Sequence, residues 1–370
     1  MADQEGKAIA ANLGWKGERT ARPTERNSRM PGGTTRLATT QQGWKETPLE
    51  ANPFSDVFSL EAGRRRARGR IEGAVKLLSQ AGEAGADLAV TGEDIAGLSL
   101  AMGYLDDPGI FHTLALDAAA AAHEAVAAAA RRHRMHVAAC FYEKEGDTVF
   151  NSSVLFGRDG RVIGRYHKVH LPVYETWLVT AGDDFPAFET DIGVVGMLIC
   201  YDDMWSESSA CCSLSGARII CHSTAYSPPE YRVRTRAMDA QAFYLTATNT
   251  GSRICAPDSK VLADCGDRRD CVATAEVDIA GASLSPENFW EYLYSGIRDH
   301  RERRLKLRRP DAYKRLLESN PPAVAAYPAG GLANTPEAIR EVYEKQKEEY
   351  RRSLRGEPQR YSWEWSAQDE

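Results

Sequence analysis

The sequence predicts a mixed α/β layered fold, and three observations carry that reading. Compact apolar runs of strand length recur along the chain, among them Asp87–Thr91, Val137–Tyr142 and Val194–Ile199. Segments with helical spacing lie between several of these runs. Hairpin-type turns join others, and strands alternating with helices plus hairpins belong to layered α/β architectures.

Taken in order, residues 1–34 are polar and Gly/Pro-punctuated, which reads as a mobile N-terminal arm. Leu37–Thr40 offers a short first strand. Ala67, Ile71, Ala74, Val75 and Leu78 repeat at helical spacing, and Gly82 and Gly85 supply the stop. The buried-strand run Asp87–Thr91 ends at Gly92-Glu93-Asp94. An Ala-rich helix is expected over Leu114–Arg132, with Arg131, Arg132 and His133 favouring its C-terminal end. Val137–Tyr142, Val149–Phe156 and Val162–Tyr166 follow as strands, and Asp159-Gly160 readily turns the last two into a hairpin. Val194–Ile199, Arg218–Cys221, Tyr244–Thr248 and Val272–Val277 complete the strand set, with a helical pattern from Pro229 to Phe243. These runs define a main domain over residues 35–280.

A helical C-terminal extension occupies residues 281–370. Its basic run Arg298–Arg309 reads as a solvated face. Its last helix starts at a Thr335 cap with Pro336 behind it and reaches Leu354. Ile339, Val342, Tyr343 and Tyr350 form one apolar stripe there, suited to wrapping a neighbour or a second subunit.

The 370 residues are 43% hydrophobic, enough for a well-buried core. A net charge of -6 argues against a nucleic-acid partner. No apolar run approaches the roughly 18 residues of a membrane span. Met1-Ala2-Asp3-Gln4-Glu5 opens without the apolar stretch of a secretory signal, so a cytoplasmic location is expected. The cysteines form no C-x-x-C pair, which weighs against structural zinc. His167 and His170, three apart on an extended segment, point to opposite faces, so no metal is expected there either.

Glu93, Lys168 and Cys200 each follow a strand run directly, where ligand sites gather in α/β sheets. Together they make chemical sense. A thiol attacks as thiolate, a lysine ammonium stabilises that anion, and a carboxylate takes the proton and later delivers it to a leaving amine. The ammonium also stabilises a tetrahedral oxyanion, together with the backbone N–H of Tyr201.

Three segments resemble the nitrilase superfamily of carbon–nitrogen hydrolases. They are Asp87-Leu88-Ala89-Val90-Thr91-Gly92-Glu93, Gly164-Arg165-Tyr166-His167-Lys168-Val169-His170-Leu171-Pro172, and Gly193 through Cys200-Tyr201-Asp202 to Glu207. Arg234–Gln241 and Thr248-Asn249 extend the likeness, which covers roughly residues 36–279. The resemblance implies a four-layer αββα sandwich that pairs into αββα–αββα dimers or higher homo-oligomers. It implies Cys200 as nucleophile, Glu93 as general base and acid, Lys168 in the oxyanion site and Glu175 as a second, orienting glutamate. It requires neither metal nor organic cofactor, and the partner is a small amide, carbamoyl or nitrile substrate.

Two departures bear on the pocket. Gly92 stands where the family usually has proline before the glutamate. Met204 and Ser206 replace an arginine and a proline after the cysteine, which removes one means of binding a substrate carboxylate. Tyr201 and Trp205 supply an apolar or stacking wall instead, and Ser223 and Asn249 are expected to contribute substrate contacts. Tyrosine instead of tryptophan directly after the cysteine favours amide or N-carbamoyl hydrolysis over nitrile hydrolysis.

Overall fold

Alternation along the strands decides how the layers form. In β1 (Thr35–Gln41) Leu37 faces one apolar cluster and Ala38 another; in β2 (Leu88–Val90) Leu88 and Val90 face the first and Ala89 the second. The same split separates Ala138 and Cys140 from Val137 and Ala139 in β3 (His136–Glu145). Each of these strands is therefore buried on both faces. The computed structural model describes residues 33–43, 46–98, 101–281, 296–297, 299–319, 321–325 and 336–357. The expected arm, apart from its last two residues, and the Thr335 cap lie outside the described residues.

The first sheet has the order β12-β1-β2-β3-β4-β5, with β4 at Thr148–Phe156, β5 at Val162–His167 and β12 at Cys271–Val277. The second runs β11-β10-β9-β8-β7-β6: β6 Ala187–Thr190, β7 Gly193–Ile199, β8 Ile219–Ser223, β9 Phe243–Ala247, β10 Arg253–Cys255 and β11 Val261–Asp264. β1, β2 and β3 are parallel neighbours, as are β7, β8 and β9. The sheets meet through Leu37, Leu88, Tyr166, Val195, Met197 and Ile219, and Thr39 Oγ1 donates across the gap to Thr246 O at 2.8 Å. Helices α1 (Leu60–Glu83) and α2 (Pro108–His133) cover the first sheet; α3 (Ser206–Leu214) and α4 (Glu230–Ala240) cover the second. This is the expected αββα sandwich.

Local chemistry sets the helix ends. Ser59 Oγ accepts from Ala62 N at 3.2 Å to start α1, and its buried face carries Ala67, Ile71, Ala74 and Leu78. α2 begins six residues before the expected Leu114, because Asp107 caps Gly109 N at 3.0 Å and Pro108 opens the first turn. The short strands β6, β10 and β11 and the helix α3 carry weak apolar patterns and were not expected from the sequence.

The basic run departs from its reading as a solvated face. Within α5 (His300–Lys306), Arg301 and Arg303 are buried. Arg301 donates to Ala240 O, Gln241 O and Ser213 O at 2.7–3.1 Å, so one guanidinium caps the C-terminal ends of both α3 and α4. Its planar fork of donors suits carbonyls that a helix end leaves open. The last helix, α6 (Pro336–Leu354), docks on its own chain: Tyr350 lies 4.5 Å from Phe54 and Arg351 Nε donates to Phe54 O at 3.0 Å. Tyr343 is buried in the same contact, whereas Val342 of the stripe is exposed.

Candidate active site

Three strand ends from two sheets converge on one buried cluster. Glu93 follows β2 and Lys168 follows β5 in the first sheet, while Cys200 follows β7 in the second. Lys168 Nζ sits between two carboxylates, 2.9 Å from Glu93 Oε1 and 2.7 Å from Glu175 Oε2. All three side chains are at most 6% exposed. Glu175 arrives on the short 3-10 turn Val173–Trp177, seven residues after the lysine. The Cys200 thiol lies within electrostatic reach of Glu93 and Lys168 and beside Thr224.

The nucleophile turn is held in an uncommon conformation. Cys200 has φ +47, a left-handed backbone that a non-glycine residue adopts only when its surroundings enforce it. Asp202, fully buried, supplies that enforcement. Its Oδ2 accepts from Ile199 N at 3.0 Å and Tyr166 Oη at 2.6 Å; its Oδ1 accepts from His170 N at 2.9 Å and lies 2.9 Å from His170 Nδ1. Tyr166 and His170 flank Lys168, so one carboxylate registers the cysteine turn against the lysine segment. Asp202 stands in the cysteine motif, but nothing in the sequence marks it for this work.

Asn151 of β4 was also missed. Its Nδ2 donates to Glu93 Oε1 at 2.9 Å and to Glu175 Oε1 at 2.7 Å. Tyr142 Oη donates to Glu175 Oε1 at 3.3 Å, and Ala225 N donates to Glu93 Oε2 at 3.0 Å. The available signal was a poor strand former, asparagine, inside a strand run.

Electrostatics assign the resting protonation. Burial alone lifts the Glu93 carboxyl, but the Lys168 charge and donors from Lys168, Cys200 and Asn151 outweigh it and hold Glu93 below its ordinary value. Burial also depresses Lys168, and the two glutamates more than reverse this, so it stays charged. Glu175 is raised, by burial first and then by Glu93. Burial and then the Glu93 charge push the Cys200 thiol well up, with Lys168 and Thr224 opposing. The resting proton therefore stays on sulfur, as a route in which Glu93 takes it during attack requires. Cys200 rests as a thiol beside an ionised Glu93.

The other expected site residues lie nearby in differing settings. Tyr201 is partly exposed and stands edge-on to Trp205 at 4.9 Å, and Trp205 stacks on His170 at 4.0 Å. Ser223 is fully buried at the end of β8, its Oγ without a hydrogen-bond partner among the described residues. Asn249 Nδ2 donates to Ala225 O at 2.9 Å, which steadies the residue whose N–H holds Glu93. His167 shares its Nδ1 with Ser152 Oγ at 2.8 Å and its Nε2 with Glu145 at 3.0 Å.

Asp94, next to Glu93, is buried with neither carboxylate oxygen hydrogen-bonded among the described residues. Burial and the Glu93 charge raise it to about 7. A carboxyl raised on folding stabilises the fold below its unfolded pKa, and that contribution is lost as pH rises through its folded pKa. Stability is thus expected to fall between about pH 4 and pH 7. Asp94→Asn is expected to flatten this decline and to add about 1–3 kcal/mol at pH 8. Denaturant melts of both proteins across that range check it.

Comparison with known proteins agrees with the fold. The sequence profile of the carbon–nitrogen hydrolase family matches residues 65–286. A Schizosaccharomyces pombe protein named as a probable nitrilase is 27% identical over 190 residues, which is 47% of this chain and 65% of that one. An N-carbamoylputrescine amidase of Solanum lycopersicum is 26% identical over 219 residues, 49% of this chain and 69% of that one. A Helicobacter pylori carbon-nitrogen hydrolase structure shares the fold at a TM-score of 0.59 and 19% identity, covering 77% of this chain and 98% of that one.

Proposed function

The chain belongs to the carbon–nitrogen hydrolase family, and from that premise we propose that it hydrolyses a non-peptide C–N bond of an amide or N-carbamoyl substrate through Cys200. One observation carries the proposal: the Lys168 ammonium bridges Glu93 at 2.9 Å and Glu175 at 2.7 Å, with the Cys200 thiol within electrostatic reach of both Glu93 and Lys168. Glu93 takes the thiol proton as sulfur attacks the carbonyl carbon, so no free thiolate accumulates. Lys168 and the Tyr201 N–H stabilise the oxygen that gains charge. Glu93 passes its proton to the leaving nitrogen, ammonia or amine departs, and a thioester remains on Cys200. Glu93 then deprotonates water, which attacks the thioester and returns the proton to sulfur. Glu175 holds the far side of Lys168 and shares Asn151 with Glu93. The substrate is a small molecule, and assembly into a homodimer is part of the same proposal.

Ammonia release from a panel of amides, N-carbamoyl amino acids, carbamoyl amines and nitriles tests the reading. Release from amides or carbamoyl compounds, lost in Cys200→Ala, supports it. Release from nitriles alone would replace it with a thioimidate route, the reading that the similarity to the S. pombe protein named as a probable nitrilase favours. Silence on every class with an inert Cys200 would leave a scaffold protein.

Glu175→Gln is expected to leave a folded protein with a lower kcat. The amide keeps an acceptor for Lys168 and removes a charge that helps hold its proton. Comparison of kcat and of the thermal melt checks this. A wild-type kcat would reduce Glu175 to a structural role.

A further inference from the structure

The Cys140 thiol lies inside the same cluster, and the steps proposed above make no use of it. Cys140 and Asn151 are both fully buried, and Cys140 Sγ is 3.4 Å from Asn151 Oδ1. That contact is the one hydrogen bond shown to the Asn151 oxygen among the described residues. Burial, then the Glu93 charge, keeps the Cys140 proton on sulfur, so the thiol is the donor and the amide oxygen the acceptor.

The orientation of this amide matters because both of its nitrogen contacts are carboxylate oxygens. Nδ2 has two hydrogens, and each is spent on one glutamate. Turned over, the amide would aim its oxygen at two buried carboxylates, where the low local dielectric makes the repulsion costly. The Cys140 backbone adds to the arrangement. Its N–H donates to Thr91 Oγ1 at 3.2 Å and its carbonyl accepts from Ile95 N at 2.9 Å. Those two partners bracket Glu93. One residue thus grips the glutamate loop with its backbone and the glutamates' shared donor with its side chain.

We propose that Cys140 is a positioning residue for the acid–base pair, its thiol fixing the Asn151 amide so that both N–H groups serve Glu93 and Glu175. The thiol takes no part in bond making. It acts by keeping Glu93 in reach of the Cys200 proton. The proposal rests on the reading of Glu93 and Cys200 given above.

The test compares Cys140→Ser, which keeps a donor at the position, with Cys140→Ala, which removes it. The first readout needs no substrate: the rate at which iodoacetamide alkylates Cys200 at pH 7, mapped by peptide mass spectrometry. Cys140→Ala is expected to slow alkylation about tenfold, and Cys140→Ser to remain within about threefold of wild type, with an amide oxygen left unpaired only in the former. The second readout uses whichever substrate class the panel identifies. Cys140→Ala is expected to lower kcat by a similar factor at nearly constant KM. It is also expected to move the acid limb of kcat upward, because Glu93 loses a firm donor and binds its proton more readily. Thermal melts of both variants establish that they are folded.

A folded Cys140→Ala with wild-type alkylation and acid limb would overturn the proposal. So would a serine variant no better than alanine. If alanine fails to fold, the serine variant decides: loss of alkylation in folded Cys140→Ser contradicts the positioning role. An inert Cys200 in the wild-type protein would instead overturn the underlying reading of the nucleophile, which keeps the two failures apart.

Discussion

Cys200→Ala and Cys200→Ser each abolish turnover and leave a folded protein: this is the largest effect the site predicts. In the proposed route the Cys200 sulfur bonds the substrate carbon before the nitrogen leaves, and no other thiol is placed to replace it. Cys140 is fully buried with its thiol bonded to Asn151, and Cys211 lies exposed on α3. Serine fits the turn, yet its hydroxyl is a poorer nucleophile, and a single carboxylate is a weak base for it. Folding should survive, because the backbone partners of the turn belong to Asp202 and His222, not to the thiol. Thermal melts and product assays on the two variants check both halves. Full turnover in either would remove Cys200 from the reaction.

Lys168→Ala is expected to do two things at once. Loss of one oxyanion donor typically costs about 10²–10³ in kcat. It also leaves Glu93 and Glu175 buried together without their shared cation, and breaking a buried ion pair costs about 3–5 kcal/mol. The remaining carboxylates would share a proton, so Glu93 would no longer be the free base that accepts from Cys200. Lys168→Met, similar in length and neutral, should show the same loss of rate with better packing. Denaturant unfolding and kcat measured on both variants separate the electrostatic part from the cavity. Near-wild-type kcat in folded Lys168→Met would contradict the assigned role.

The chain's main features were legible because the site is built at strand ends. Apolar runs that stop at Glu93, Lys168 and Cys200 mark where buried strands open, and a sequence shows such stops directly. Glu175 was legible through its place after the lysine motif. Asn151 was not, since it stands inside β4 and its role exists only when β2 and the Val173–Trp177 turn come alongside. Asp202 sat in plain view beside the nucleophile, but its partners Tyr166 and His170 belong to the other sheet's margin. The charge balance around Lys168 is hidden for a related reason. The sequence offers the lysine as a free cation, whereas folding places it between two carboxylates. Arg301 shows the same limit, because a basic run signals solvent until the open carbonyls of α3 and α4 are brought against it.

The most direct measurement is stoichiometric. The protein would be titrated with iodoacetamide while turnover on the identified substrate and the label at each cysteine peptide are followed together. The account predicts that activity falls in strict proportion to label at Cys200, reaching zero at one equivalent there, whatever the label on the exposed Cys211. Turnover that survives complete alkylation of Cys200 would contradict the central claim.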